Sequence, residues 1–565
     1  MKAIEIKDLN FTYRNSEQKA IDSVCLSQSE GELIAIMGST GAGKSSLIRC
    51  LNRIIPNFFK GDLTGEIKIF ETDITREKVT RMIDRVGMVF QDFETQLFST
   101  SAFLEVAFGP ENLGVNREEI KRRIGDSLEK IRLAGYEDRE PSSLSGGEKQ
   151  RLAIASILSI RPRIMVLDEP TTDLDPIGKQ EIFQALKDLR EQGLTVVLVE
   201  HETEEIGDVD RIIIIRDGRI IEEGKSSDIL SRINILKDNG IRPPQLVKLF
   251  HDLNIPCPTW PLHVNQAFFA MKSNNKRLSD DKYFTLCQGD KEKEEDYGKE
   301  IIRVDDLVHT YPTGQQALAG VNLSIKEREF IAIIGQNGSG KTTLVKHLNG
   351  LLRPTRGKVY YESTDIDDKK VSSLGKQIGY VFQNPDHQIF SPTVGEEIAF
   401  GPRNYGFSEQ QTKTKVEQAL KVVGLEGYHD KDPFLLTKGE RQRVAIASII
   451  VSEPRVIILD EPTTGLDYNE QVRIMELLTD LNTQGHTLII ITHSMWVVAE
   501  YTHRVLVLSD GKILADDTTR KVFCNEAILK ESALKLPEII QLGLQFNKTI
   551  LSLNEFKFCL EDGLA

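Results

Sequence analysis

Two short glycine-rich stretches carry the residues best suited to phosphate chemistry. Residues 38–45 read Gly-Ser-Thr-Gly-Ala-Gly-Lys-Ser, and residues 335–342 read Gly-Gln-Asn-Gly-Ser-Gly-Lys-Thr. Both fit the phosphate-loop pattern G-x-x-x-x-G-K-[ST] and follow an apolar run of strand character. The glycines let backbone N–H groups converge on one anion, and the lysine reaches the outer phosphates while the final hydroxyl holds Mg²⁺. The candidate phosphate-binding residues are Gly38, Ser39, Thr40, Gly41, Ala42, Gly43, Lys44 and Ser45, and in the second copy Gly335, Gln336, Asn337, Gly338, Ser339, Gly340, Lys341 and Thr342.

Two apolar runs, residues 164–167 and 456–459, end in the acidic pairs Asp168-Glu169 and Asp460-Glu461. A strand carries such a pair to the edge of the sheet, beside the phosphate loop. The aspartate suits Mg²⁺, directly or through water, and the glutamate can polarise an attacking water. The alternative is a strand that merely ends in two solvated acids. The sequence Pro-Thr-Thr follows both pairs, which favours the functional interpretation.

A second pair of anion-binding segments lies ahead of the acidic pairs. Ser145, Gly146 and Gly147 open a helix, so that a hydroxyl, two unhindered backbone N–H groups and the helix N-terminus converge. The other copy reads Thr437-Lys438-Gly439. Thr437 keeps the hydroxyl, but the Lys438 side chain narrows the approach of a phosphate to the backbone while its charge partly compensates.

The whole chain is a tandem duplication. Lys44 and Lys341 are 297 residues apart, whereas Asp168 and Asp460 are 292 apart. In each half, β-rich segments come first and amphipathic helical stripes and further apolar strands follow, which predicts α/β domains with a mainly parallel sheet. The predicted divisions are residues 1–230 and 301–520 for the two domains, 231–271 and 521–565 for their C-terminal extensions, and 272–300 for a polar linker.

Bulk properties exclude several classes of protein. The 565 residues carry a formal net charge of −14, which argues against non-specific nucleic-acid binding. No window approaches the length of an apolar membrane span, and the N-terminus lacks the apolar core of a secretory signal. Six scattered cysteines without a Cys-x-x-Cys pair suit a reduced, cytosolic setting and not a metal site.

The ordered motifs of both halves resemble the ATP-binding-cassette family. The resemblance implies tandem P-loop ATPase domains, each with a β-rich subdomain, a helical signature subdomain and a small C-terminal extension, which use ATP and Mg²⁺. It implies that the domains pair head to tail, within one chain or between two, so that the signature segment of one covers the nucleotide of the other. By the same match, the catalytic residues are Glu169, His201, Glu461 and His493. The metal would be held by Ser45, Gln91, Asp168, Thr342, Gln383 and Asp460. The adenine would stack on Tyr13 and Tyr311, which are placed before the first strands. Since Lys438 would face the Lys44 nucleotide, we expect the Lys341 site to carry more turnover.

Residues 383–390, Gln-Asn-Pro-Asp-His-Gln-Ile-Phe, and residues 393–402 resemble energy-coupling-factor importers. The first half keeps Gln-x-Phe and Phe-Gly-Pro but lacks Asn-Pro-Asp. This resemblance implies an ATPase subunit at the cytoplasmic face of a membrane, docked on an integral membrane coupling subunit and working with a substrate-binding membrane subunit that takes a vitamin or a metal ion. For Phe98 and Phe390 the alternative to docking is core packing. The alternative functions are a twin-cassette sugar importer ATPase and a soluble cassette factor acting on ribosomes or nucleic acid.

Overall fold

The computed structural model describes residues 1–14, 16–172, 174–532 and 534–562. The chain divides into two compact units. One comprises Met1–Lys248 with Asp467–Asn469, and the other comprises Leu249–Leu466 with Glu470–Ala565. Because the two halves are duplicated, each unit repeats the same arrangement of sheets.

The first unit contains an antiparallel sheet and a mainly parallel sheet. In spatial order, the antiparallel sheet consists of Lys19–Ser29, Lys2–Tyr13, Gly61–Ile69 and Thr72–Asp73. The mainly parallel sheet runs Arg219–Lys225, Arg211–Arg216, Leu33–Met37, Thr195–Val199, Ile164–Asp168 and Val86–Val89, with only the Arg219–Lys225 edge antiparallel. The parallel strands next to the phosphate loop are apolar along their whole length because helices cover both faces of such a sheet.

Helices of the first half connect these strands and form the signature region. They are Lys44–Leu51, Ile54–Asn57, Ala102–Asn112, Arg117–Lys130, Gly146–Ile160, Pro176–Glu191, Ser226–Leu230, Ile233–Asp238 and Gln245–Asp252, with short 3₁₀ turns at Val79–Arg81, Phe93–Gln96, Pro141–Ser143 and Ile206–Asp208. The predicted amphipathic stripe is confirmed: Ile120, Ile124 and Leu128 are buried on one face of the helix Arg117–Lys130.

The second unit repeats both sheets. Its antiparallel sheet runs Gln316–Lys326, Glu300–Thr310, Arg356–Tyr361 and Thr364–Asp365. Its mainly parallel sheet runs Ile378–Val381, Val456–Asp460, Thr487–Ile491, Phe330–Ile334, Arg504–Ser509 and Lys512–Thr518. Ile333 lies in the central hydrophobic core of this unit, whereas the buried Leu278 lies in a separate two-stranded ribbon.

The remaining helices lie in the second unit, which begins within residues 231–271, the segment interpreted as the extension of the first half. They are Val264–Ser273, Asp280–Glu295, Lys341–Leu348, Val371–Gly375, Val394–Asn404, Glu409–Val422, Lys438–Ile450, Tyr468–Thr483, Met495–Tyr501, Thr519–Phe523, Glu526–Glu531, Glu538–Leu544 and Leu553–Cys559, with 3₁₀ turns at Ile366–Asp368, Pro385–His387 and Pro433–Leu435. The predicted α/β class with a mainly parallel sheet is therefore confirmed in both halves.

The segment interpreted as a polar linker, residues 272–300, is ordered, which the sequence analysis did not predict. It contains the helix Asp280–Glu295, which buries none of its residues. Asp280 and Asp281 lie in the first turn, where their charges favour the helix dipole, and Asp280 and Asp290 pair with Lys548 and Arg520. The strand Lys276–Leu278 pairs antiparallel with Leu560–Asp562. A solvated, charged segment thus forms regular structure because local charge placement and a distant strand both support it.

Candidate ATP-binding and hydrolysis sites

Each phosphate loop joins the buried end of a central strand to the start of a helix. The loop of the first half follows Leu33–Met37 and ends at the N-cap Gly43, whose φ of 104° lies in the left-handed region. A Cβ at Gly43 would lie 2.4 Å from the Ala20 carbonyl oxygen, so glycine is required there. Gly340 has the same role, with a φ of 101° and a Cβ position 2.5 Å from the Ala317 carbonyl oxygen. Both loops therefore have the backbone that the sequence pattern predicts.

The loop lysines are buried and directed into their own loops. Lys44 Nζ donates to the carbonyl oxygens of Gly38 and Ser39, at 2.8 and 2.9 Å. Lys341 Nζ donates to those of Gly335 and Gln336, at 2.9 and 2.7 Å. Burial lowers the pKa of Lys44, while the charge of Glu169 acts in the opposite direction. The ammonium groups thus lie at the centre of the loops that would hold the phosphates.

The hydroxyl that ends each loop meets the aspartate of the acidic pair. Ser45 Oγ donates to Asp168 Oδ1 at 3.0 Å, and the Thr342 hydroxyl likewise hydrogen-bonds to Asp460. Burial raises the pKa of both aspartates, and the Glu169 charge raises that of Asp168 further. Among the described residues, no group donates a hydrogen bond to the buried Asp168 Oδ2. A hydroxyl and a buried carboxylate with unused acceptor capacity fit the oxygen ligands that Mg²⁺ prefers.

The glutamates next to these aspartates are held by polar side chains. Glu169 Oε1 lies 2.7 Å from His201 Nε2, and Gln91 Nε2 donates to Glu169 Oε2 at 2.7 Å. The structure therefore brings together the predicted catalytic pair and the predicted Q-loop glutamine of the first half. A carboxylate in this setting is oriented on two sides, as a group that polarises water must be.

The second glutamate has a different set of partners. Thr464 Oγ1 donates to Glu461 Oε2 at 3.0 Å, and His493 Nε2 lies 3.4 Å from Glu461 Oε1. Gln383 is exposed, two residues beyond the strand Ile378–Val381. Burial raises the pKa of Glu461 well above its usual range, although the Lys341 charge acts in the opposite direction. The two hydrolysis sites are therefore built from the same residue types but are not held identically.

Both glutamates also have an unusual backbone. The φ angles of Glu169 and Glu461 are 50° and 49°, in the left-handed region that residues other than glycine rarely occupy. Such a conformation costs of order 1–3 kcal/mol and persists only where the surrounding structure imposes it. The backbone N–H of each glutamate donates to the neighbouring strand, at Val199 and Ile491 respectively. The two halves therefore share this backbone conformation at the glutamate, as they do at turn positions such as Asp217 and Asp510.

The two signature segments have the same local geometry despite their different sequences. Ser145 and Thr437 are N-caps of the helices Gly146–Ile160 and Lys438–Ile450, and each forms a capping box with the glutamate three residues later. A Cβ at Gly439 would lie 2.8 Å from Glu470 Cγ, whereas one at Gly147 would be in ordinary contact with Leu174 Cδ2 at 3.8 Å. Lys438 is half-buried at the first helical position. The change from glycine to lysine thus alters the surface of the helix end but not its backbone.

The tyrosines predicted to stack on adenine do not precede the first strands, so that part of the prediction is wrong. Tyr13 ends the strand Lys2–Tyr13, and Tyr311 directly follows Glu300–Thr310, because the β-branched and aromatic pattern extends the strands up to them. Tyr13 Oη lies 2.8 Å from Ser46 Oγ, and Tyr311 Oη lies 3.0 Å from Thr343 Oγ1. Each tyrosine therefore borders the helix that follows its phosphate loop, and the adenine role stays a prediction.

One buried carboxylate beside the first site was missed by sequence reasoning. Glu200 immediately precedes His201 and is 3% exposed. Its carboxylate accepts hydrogen bonds from the Thr171 hydroxyl and from the His201 backbone N–H. Burial raises the pKa of Glu200 to about 7, which the Thr171 hydrogen bond partly offsets. The signal was present in the duplication, because the equivalent residue of the second half is Thr492.

A comparison with protein families matches this geometry. The family model described as ABC transporter matches residues 21–172 and 318–464, which contain both phosphate loops, both signature segments and both acidic pairs. The chain belongs to the ABC transporter family. It carries two ABC ATPase domains, and the enzymatic activity that follows is ATP hydrolysis coupled to transport.

Relatives of this ABC transporter ATPase align with it over nearly its whole length. A protein from Caldanaerobacter subterraneus subsp. tengcongensis, named as an ABC transporter ATP-binding protein, is 48% identical over 561 residues and covers 99% of both chains. One from Methanosarcina acetivorans with the same description is 38% identical and covers 96% of this chain and 90% of its own. A solved structure, cbiO1 from Clostridium perfringens, described as part of the ABC transporter complex cbiONQ, is 38% identical, with a TM-score of 0.39, and covers 42% of this chain and 97% of its own. Within the described residues of the ABC transporter ATPase, no helix has the length and hydropathy of a membrane span.

Proposed function

We propose that this ABC transporter ATPase is the energy-coupling subunit of an importer of the energy-coupling-factor type. It would work at the cytoplasmic face of a membrane and drive uptake of a vitamin or a metal ion through separate membrane subunits. The observation that carries this proposal is a pair of exposed aromatic side chains in each half, located shortly after the Q-loop glutamine.

The aromatic pairs are built alike in both halves. Phe98 and Phe108 are 63% and 48% exposed, and their ring centroids lie 4.7 Å apart, edge to face. Phe390 and Phe400 are 61% and 50% exposed, and their centroids lie 4.8 Å apart in the same arrangement. These phenylalanines are therefore exposed at the surface and are not packed in the core, which was the alternative to docking. Large apolar side chains that remain together at a surface favour a site for a partner.

A buried carboxylate holds each pair in place. Glu105, which is 3% exposed, accepts hydrogen bonds from the backbone N–H groups of Phe98 and Ser99, at 3.0 and 2.9 Å. Glu397, also 3% exposed, does the same for Phe390 and Ser391. Charge-assisted hydrogen bonds to two consecutive amides make the loop rigid. A rigid, duplicated apolar surface supports docking of helices from an integral membrane coupling subunit.

The proposed catalytic cycle assigns each site residue one task. The phosphate-loop amides and Lys44 or Lys341 bind the ATP phosphates, and Mg²⁺ held by the loop hydroxyl and the adjacent aspartate would neutralise phosphate charge. Glu169 or Glu461 orients and polarises the attacking water, and the adjoining His201 or His493 orients the glutamate. We propose that the two domains pair head to tail, within one chain or between two, and that Ser145 or Thr437 of one domain covers the nucleotide of the other. ATP-dependent pairing would do work on the docked membrane subunit through contacts that differ between the paired and unpaired states.

The membrane partner can be tested by affinity purification from detergent-solubilised membranes. We expect the wild-type chain to retain an integral membrane coupling subunit and a substrate-binding membrane subunit, with a small molecule identifiable by mass spectrometry. The double variant Phe98→Ala/Phe390→Ala should lose them while retaining ATP binding. Phe269→Ala is a matched control, because this residue is 67% exposed but lies on the helix Val264–Ser273, away from the aromatic pairs in sequence. Retention by the double variant, or co-sedimentation with ribosomes instead of membrane proteins, would contradict the proposal.

A further inference from the structure

The aspartates of the two candidate metal sites differ in what holds their second carboxylate oxygen. In the first half, Asp168 Oδ2 faces Arg49 Nη2 at 3.7 Å. In the second half, the Tyr380 hydroxyl donates to Asp460 Oδ2 at 2.9 Å. Met88 occupies the position equivalent to Tyr380, so the first half lacks the hydroxyl, whereas Lys346 keeps a cation at the position equivalent to Arg49 and its charge acts on Asp460.

Arg49 lies between the Phe59 ring and the buried Asp168 carboxylate. Its side chain is 26% exposed, whereas that of Asp168 is 1% exposed. Within the described part of the chain, Arg49 Nε is buried and donates to no acceptor. The guanidinium lies over the Phe59 ring, with Cζ 5.1 Å from the centroid. A cation between an aromatic face and a buried carboxylate attracts the nearer oxygen, Oδ2, and so favours the orientation in which Oδ1 is directed at the Ser45 hydroxyl.

Phe59 belongs to an insertion found only in the first half. The offset between the halves falls from 297 to 292 between the helix after the phosphate loop and the strand Gly61–Ile69, which corresponds to extra residues around Phe58 and Phe59. These two phenylalanines are 72% and 44% exposed. The insertion thus connects the surface of the first half to Arg49 and, through Arg49, to Asp168.

Tyr380 contacts the corresponding carboxylate oxygen of the second site through an uncharged hydroxyl. It is 8% exposed, and its ring meets Phe382 edge to face, with centroids 5.1 Å apart. A hydroxyl packed in this way has a fixed direction, and its hydrogen bond to a carboxylate leaves the other oxygen for the Thr342 hydroxyl. The second site therefore has a directional hydrogen bond from a buried hydroxyl in addition to the charge of Lys346, where the first has a guanidinium closer to the surface.

We propose that Arg49 and Tyr380 are positioning residues, which orient Asp168 and Asp460 for Mg²⁺ in the first and second sites respectively, with Phe59 covering Arg49. The inference rests on the proposed role of these aspartates in holding the metal. Two different supports make the two sites respond differently to Mg²⁺ and to anything that binds the Phe58–Phe59 surface.

The test measures how strongly Mg²⁺ promotes nucleotide binding, one site at a time, in the full-length chain. The probe is the non-hydrolysable analogue AMP-PNP, and the measured quantity is the ratio of its dissociation constants in EDTA and in Mg²⁺. A Lys341→Ala background isolates the first site, and a Lys44→Ala background isolates the second. Because no hydrolysis is involved, the ratio reports metal-linked binding and not turnover.

For the first site we expect Arg49→Met to lower the ratio about three- to fivefold, the size of a partly exposed ion pair, with affinity in EDTA unchanged. Arg49→Lys should restore the ratio, because it keeps the charge. Phe59→Ala should lower the ratio in the same direction, whereas Phe58→Ala is the matched control and should leave it unchanged. In the second site Tyr380→Phe should lower the ratio about tenfold, because it removes a hydrogen bond to a buried carboxylate.

Asp168→Asn distinguishes the metal-binding role of Asp168 from the positioning role of Arg49. If Asp168→Asn lowers the ratio but Arg49→Met leaves it unchanged or raises it, the positioning role of Arg49 is wrong while the proposed metal site stands. If Asp168→Asn itself has no effect, the proposed metal role of Asp168 fails, and the inference fails with it. An unchanged ratio in Tyr380→Phe would overturn the second half of the inference independently.

Discussion

Replacing Glu200 by glutamine tests the energetic cost of the extra carboxylate beside the first hydrolysis site. Burial raises the pKa of Glu200 from 4.5 to about 7, so the folded state binds this proton more tightly than the unfolded state does. The free energy of unfolding therefore falls as the pH rises from about 4.5 to about 7, and above that range it is lowered by the full amount. Each tenfold change in a proton equilibrium is worth about 1.4 kcal/mol, which makes the cost about 3 kcal/mol. Glutamine keeps the size and an acceptor for Thr171 but carries no charge at any pH.

Hydrogen–deuterium exchange of the strand Thr195–Val199, which ends next to Glu200, measures this effect locally. At pH 8 we expect Glu200→Gln to slow exchange of these amides about a hundredfold relative to the wild type, the equivalent of about 3 kcal/mol. At pH 5 the difference should fall to a few-fold, since Glu200 is then protonated in the folded wild type. The strand Thr487–Ile491 is an internal control, because Thr492 follows it in place of a glutamate. Equal protection by the variant at pH 5 and pH 8 would refute the argument.

Two further outcomes follow from the structure. Glu169→Gln and Glu461→Gln should reduce ATP turnover unequally, with the larger loss for Glu461→Gln. The reason is that Lys438 alters only the signature segment proposed to cover the Lys44 nucleotide. Equal losses in steady-state ATPase rates would contradict this. Arg520→Met should destabilise the C-terminal extension by about 2–3 kcal/mol, because it removes hydrogen bonds to the charged Asp290 and Glu555 carboxylates, which are only partly exposed. Limited proteolysis that cuts variant and wild type at the same rate would count against this.

The parts of the site that were predicted correctly depend on local backbone chemistry. The loop that ends at Gly43, and its copy at Gly340, require left-handed glycines next to a strand and a helix, and a short sequence pattern records all three requirements. The acidic pairs were recognised for the same reason, since each ends an apolar strand. The contact between Ser45 and Asp168 follows once both lie at the same edge of the sheet.

What escaped prediction depends on contacts between distant parts of the chain. Nothing local to Tyr380 or Arg49 indicates that either meets an aspartate more than 75 residues away along the sequence. A position-by-position comparison of the two halves would have revealed Tyr380 and Glu200, whose equivalents are Met88 and Thr492, but not Arg49, whose equivalent Lys346 is also a cation. The helix Asp280–Glu295 was missed because composition alone does not separate a solvated helix from a solvated coil. The misplacement of Tyr13 reflects uncertainty in strand ends, not in the element itself.

The ribbon formed by Lys276–Leu278 and Leu560–Asp562 has a consequence for biosynthesis. Its strands are separated by about 280 residues, so at about 5–20 residues per second the first strand leaves the ribosome roughly 15–60 s before its partner exists. During that interval the backbone groups of Lys276–Leu278 lack their pairing strand and present an edge to other chains. Translation that stalls in the second half would leave this edge uncovered for longer. The flanking lysine, arginine and aspartate side chains, charged and strongly hydrated, are suited to keep a nascent chain from aggregating until the last strand arrives.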